Sequence, residues 1–131
     1  MSVPFDASRR HLLVTAASLV TAASVGAGLI NGALREFIRE ERSAERLRDL
    51  VVHRQSAAEL GRKYLKTRPY EASASRLASL ILGDPTTGPG HERARVAAQI
   101  AGDFEEGRVV NVDGWIMSVA EARLCALCGV V

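Results

Sequence analysis

Cys125-Ala126-Leu127-Cys128 is a C-x-x-C pattern, a spacing used by redox dithiols, by halves of zinc sites and by c-type haem attachment. Haem attachment needs a His after the second Cys, and Gly129 stands there. A tetrahedral zinc site needs two more ligands, yet the sequence has only 2 Cys, and His53 and His91 stand alone and far apart. Thioredoxin-like activation places the first Cys at a helix N-terminus, where the dipole lowers its pKa. Cys125 and Cys128 fall instead at the C-terminal end of a predicted helix, where the dipole favours the thiol. Two readings stay open: a pair of buried core thiols, or a disulfide formed in an oxidising compartment.

Asp103, Glu105, Glu106, Asp113 and Glu121 supply enough carboxylates for general acid–base work. However, Glu121 is explained by helix capping, Asp113 by a turn, and Glu105 and Glu106 by a helix end. No Gly-x-Ser-x-Gly elbow, phosphate-cradling glycine loop or His-Glu-x-x-His run occurs. The sequence therefore assigns no catalytic, cofactor-binding or metal-ligating residue, and a chain that is not an enzyme on its own is the expectation. A small periplasmic enzyme, the competing class, would need a concave polar pocket beside Trp115 or the Cys pair.

The N-terminus carries a different kind of information. Ser8-Arg9-Arg10-His11-Leu12-Leu13 precedes a stretch that has no Asp, Glu, Lys or Arg until after Leu34 and is rich in Ala, Ser, Thr and Gly. It is long enough for a bilayer, which needs about 20 apolar residues. The block Ser8, Arg9, Arg10, Leu12 and Leu13 resembles the twin-arginine (Tat) translocation signal, in which Ser/Thr-Arg-Arg-x and two hydrophobic residues precede a weakly hydrophobic helix. Leu12 stands where Phe is commonest and Val14 where Lys is frequent. An ordinary membrane anchor flanked by arginines is the other reading. Both place residues after Leu34 outside the cytoplasm, in the periplasm or held at the inner membrane. Cleavage is open at Val25-Gly26-Ala27 or Ala22-Ala23-Ser24. Left uncleaved, Ser24, Gly28 and Gly32 form a small-xxx-small row, although such signals are rich in small residues anyway.

The expected architecture is mostly α: a signal or membrane helix over 1–33, then a small helical domain over 34–131 with one short C-terminal β-hairpin. Ile30, Leu34, Phe37, Ala44, Leu47 and Val51 recur at helical spacing among Arg and Glu. Ser56-Ala57-Ala58-Glu59 reads as a capping box, with Ser56 as cap and Glu59 reaching back, opening a helix that stops at Arg68-Pro69. Pro69 is expected to open the next helix, through Leu77, Leu80 and Ile81 to a Gly83 cap. Asp84 to Gly90 reads as a loop. His91 to Glu106 is helical, with Val96, Ile100 and Phe104 on one face. Asp113-Gly114 between Val109-Val110-Asn111-Val112 and Trp115-Ile116-Met117 is a hairpin turn. Ser118-Val119-Ala120-Glu121 is a second capping box, with Ser118 and Glu121 opening a final helix to Gly129. Trp115 is expected to anchor the core.

With 131 residues and 14.1 kDa, the chain has room for one small domain but not for an enzyme with its own nucleotide-binding fold. A composition 47% hydrophobic and 24% charged excludes disorder. A net charge of +2, from 17 basic and 15 acidic residues, argues against a nucleic-acid binder.

The twin-arginine route mostly serves proteins loaded with cofactor before export, and this chain carries no cofactor motif. A small helical body behind the Ser8-Arg9-Arg10 signal is similar to the small accessory subunits of bacterial membrane-associated flavin dehydrogenases, such as those for gluconate, sorbitol or fructose. That resemblance implies a non-catalytic subunit with no cofactor of its own. It would escort a larger oxidoreductase carrying FAD or another redox cofactor through the Tat translocase. The resemblance lies in architecture, and no functional residue carries over. The alternative is a membrane-anchored periplasmic binding or scaffold module, without an oxidoreductase partner, using the charged helix from Arg35 to Asp49.

Overall fold

A computed structural model describes the backbone over residues 7–83 and 90–130, and side chains over 28–83 and 90–130. The chain divides into two compact units, Met1–Glu36 and Phe37–Val131. Helix α1 (Ala7–Arg48) is followed by α2 (Arg54–Thr67), a 3-10 turn (Pro69–Glu71), α3 (Ala74–Leu82), α4 (Glu92–Glu105), β1 (Val109–Val112), β2 (Trp115–Ser118) and α5 (Val119–Gly129). The described chain is thus mostly helical, with one antiparallel hairpin. Ser8, Arg9, Arg10, Leu12 and Leu13 fall in helical backbone, and their side chains lie outside the described residues. Among the described residues no helix is long and apolar enough to cross a membrane.

In the second unit the core gathers Ala44 and Leu47 of α1, Tyr64 of α2, Leu77, Ala78 and Ile81 of α3, Val96 of α4, Val112 of β1, and Ala122, Ala126 and Leu127 of α5. Small residues bring α2 and α5 almost into backbone contact. A Cβ on Gly61 would stand 2.2 Å from the Cys125 carbonyl oxygen, and one on Gly129 would stand 2.9 Å from the Ala58 carbonyl oxygen. The apposition buries Ala57, Ala58 and Gly61 of α2 against Ala122 and Ala126 of α5, and it exists because neither helix has a side chain to hold the other away.

Tertiary packing moves two of the expected helix starts. α2 begins at Arg54, and its cap residue His53 makes no side-chain cap bond. The Ala57 amide donates to the His53 carbonyl at 3.0 Å, so the helical ladder is already running when it reaches Ser56, which is exposed within the first turn. The Ser56/Glu59 capping box is therefore not formed. Docking of Ala57 and Ala58 on α5 favours an earlier start than the local sequence does. Pro69 opens only the 3-10 turn. The following helix starts at Ala74, where the Ser73 hydroxyl accepts from the Arg76 amide at 3.1 Å. Between them the chain turns so that Glu71 points inward.

The C-terminal unit follows local chemistry closely. Asp113 and Gly114 take φ of 55° and 87°, the pair of positive values that a two-residue type I′ turn demands. The register pairs Val110 with Met117 and Val112 with Trp115. The Ser118 hydroxyl accepts from the Glu121 amide, and the Glu121 carboxylate accepts from the Ser118 amide, closing the capping box. Trp115, however, is 66% exposed. It sits beside the turn, at the free end of the hairpin, while Val110, Val112 and Met117 fill the core-facing side; it does not anchor the core. Phe104 is likewise exposed, and the inner face of α4 ends on buried Asp103 instead.

Candidate functional site

Two buried carboxylates organise the polar interior. Glu71 is 3% exposed and receives the Tyr64 hydroxyl at 2.8 Å and the Arg123 guanidinium at 3.2 and 3.0 Å. The two-pronged guanidinium contact is the geometry that matches both oxygens of a carboxylate. Arg68 adds a bond to the Tyr64 hydroxyl at 2.8 Å and lies 5.0 Å from the centre of that ring. The chain thus links α2, the 3-10 turn and α5. Burial pushes the Glu71 carboxyl up, but the Arg123 and Tyr64 bonds outweigh it and hold the group below its ordinary value of 4.5. Burial, foremost, raises the Tyr64 phenol.

Asp103 is 1% exposed. Its Oδ1 accepts from Arg108 at 2.8 Å and from Gln99 at 3.4 Å, and its Oδ2 accepts from the Ala120 amide at 2.8 Å. Ala120 is the second residue of α5, so Asp103 satisfies from α4 an amide that the helix itself leaves open. Ser118 satisfies the next one. The other end of α5 is held too: Arg48 of α1 donates to the Leu127 carbonyl at 2.8 Å and the Val130 carbonyl at 3.1 Å.

Four of the five carboxylates considered for acid–base work have structural partners: Asp103 and Glu121 are committed to the start of α5. Asp113 carries the turn and pairs with Lys63, and Glu106 pairs with Arg108. Glu71, Tyr64 and Arg123 were not singled out by sequence, because they belong to no motif and Arg123 lies 52 residues from Glu71. An i, i+7 spacing joins Tyr64 to Glu71 across a helix end, and periodicity along one element does not register such a pair. Cys125 and Cys128 are free and half-buried. Burial, with Cys128 and Glu121 adding to it, pushes the Cys125 thiol up to about 11. Burial also raises Cys128, against the pull of Arg54 and Arg48. Among the described residues no group of three or more His, Cys, Asp or Glu could hold a metal ion.

An open groove of about 470 Å³ is lined by Glu41, Arg48, Ala72, Ser73, Ala74 and Val130. Arg48 and Ser73 in it are already bonded to backbone, and neither Trp115 nor either Cys lines it. Several large apolar side chains remain exposed among the described residues. Leu29, Ile30 and Leu34 are exposed in the first unit, and Phe37, Ile38, Trp115 and Ile116 in the second, with Leu29 at 72% and Ile116 at 63%. Large apolar side chains grouped on a surface mark contact sites more often than chemistry. No family model, no curated protein and no solved structure matches the chain.

Proposed function

We propose that this chain is a non-catalytic accessory subunit. It escorts a larger oxidoreductase, loaded with FAD or another redox cofactor, through twin-arginine export and holds it on the periplasmic side. The observation that carries this reading is the bare apolar side chains Leu29, Ile30 and Leu34 in the first unit and, separately, Phe37 and Ile38 in the second, on a chain that bears the Ser8-Arg9-Arg10 block. A surface of this kind is costly to leave in water and is covered when a partner docks. Commitment of the buried carboxylates to helix ends and cross-links agrees with a chain whose work is contact.

Purification of the native protein from membranes is the direct test, with a stoichiometric, cofactor-bearing partner as the expected result. Recovery only as a free monomer would sink the proposal. Replacing Arg9 and Arg10 by Lys is expected to abolish periplasmic delivery of both proteins, and continued delivery would remove the export step. The unbroken run of α1 from Ala7 to Arg48 suits a second reading, a membrane-anchored scaffold without an oxidoreductase partner. An intact Met1 on a chain that binds no redox protein would favour it.

A further inference from the structure

We propose that the groove between α1, the start of α3 and the C-terminal end of α5 is a docking site for an arginine side chain presented by an extended segment of a partner protein. The groove lies wholly within the second unit and holds about 470 Å³, inside the roughly 300–1,000 Å³ range of ligand-sized sites. Its walls are made by side chains that stop short. Ala72 and Ala74 stand on either side of the Ser73 cap and offer only a methyl group each, and Val130 adds a third apolar surface. The stem of a long cationic side chain lies along surface of this kind while its head group seeks charge.

The polar groups of the groove decide what that head group must be. The Ser73 hydroxyl accepts from the Arg76 amide, and Arg48 donates to the Leu127 and Val130 carbonyls and to the Glu45 carboxylate. Glu41 is partly buried and, among the described residues, has no hydrogen-bond or ion-pair partner. Because Glu45 balances Arg48 at 3.1 Å, the groove presents one uncompensated charge, and it is negative. Glu41 and Arg48 stand two turns apart on α1, about 10 Å along its axis, so the Glu41 end can receive a cation away from the Arg48 guanidinium. A guanidinium suits it better than an ammonium, since its planar fork meets both carboxylate oxygens at once and it is more weakly hydrated. An apolar or anionic occupant would cover Glu41 without giving it a counter-charge. The inference concerns the chemistry of contact and is independent of whether the partner is an oxidoreductase.

The test titrates the full-length protein with the peptide N-acetyl-Ala-Arg-Ala-amide and follows backbone amide chemical shifts. Saturable shifts are expected at Ala72, Ser73, Ala74 and Val130, and the same peptide with Gln or Glu in place of Arg should leave them unmoved. Glu41→Gln is expected to weaken the arginine peptide by about tenfold, the scale of one charge-assisted contact. Its thermal midpoint should match the parent's, because Glu41 bonds nothing in the fold, and that separates lost binding from lost folding. Ala72→Leu, on the exposed turn, should block the groove while leaving Glu41 in place. Equal shifts with the Arg and Gln peptides, binding that survives Glu41→Gln, or no shift at any of the four amides would overturn the proposal. Because the probe is a short peptide, such a failure leaves the escort reading standing.

Discussion

Glu71 shows how one residue comes to matter without any motif. Its carboxylate is buried, and two cations, Arg123 directly and Arg68 through Tyr64, surround it. Its folded pKa is depressed, as is that of Glu92, where burial opposes and the Glu92 and Gly90 amides and Arg46 prevail. A depressed carboxylate pKa contributes stability that is fully present above the unfolded value near 4.5 and is lost as pH falls through the folded value. Urea midpoints are therefore expected to decline as pH drops below about 5. Glu71→Gln should cost on the order of 2–3 kcal/mol at neutral pH, because it leaves the Arg123 charge without its partner, and it should flatten part of the acid limb. An unchanged pH profile in that variant would show that the Glu71 carboxylate is not ionised in the fold.

The helices make separate demands on their sequences. Gly61 is needed for closeness, since any Cβ there runs into the α5 backbone. Gly61→Ala is expected to destabilise by about 2 kcal/mol or more, despite the better helix propensity of Ala, because backbone cannot step aside as a side chain can. Gly102 in α4 is the contrasting case. A Cβ there meets only the end of the Arg108 side chain at 3.9 Å, so Gly102→Ala should stabilise by about 0.5–1 kcal/mol. Equilibrium denaturation of the two variants side by side measures both signs. The caps divide in the same way. Ser118→Ala is expected to cost about 1 kcal/mol or more, because the cap is closed and Ser118 is fully buried. Ser56→Ala should fall within about 0.5 kcal/mol of the parent, because Ser56 caps nothing.

For the whole molecule, the prediction concerns what stays on the surface. Phe37 and Ile38 are 55% and 40% exposed, so replacing both by Ser removes little packing and should leave the thermal midpoint almost unchanged. Under the escort reading the same double variant loses its partner in co-purification. Loss of stability without loss of the partner would make these side chains part of the fold. Binding surfaces of this sort are energetically concentrated in a few large apolar residues, which is why two substitutions suffice.

Much of this architecture is local and was legible in the sequence. Asp113-Gly114 determines its own turn because those residues tolerate positive φ, and Ser118 and Glu121 close their box within four residues, so neither needs the rest of the chain. The mostly helical class follows from apolar spacing in the same way. The tertiary structure decided what depends on distant partners. Ser56 and Glu59 have the same pattern as Ser118 and Glu121, yet α2 starts earlier because its small face is drawn onto α5. Trp115 has the size of a core residue but lies beyond the reach of the core, at the end of a hairpin whose inner face is already filled. Asp103 capping α5 from α4, Arg48 holding its other end, and Arg123 meeting Glu71 across 52 residues are long-range bonds. They exist only once the helices have packed, because hydrogen bonds and charges act over a few ångströms of space and are blind to separation along the chain.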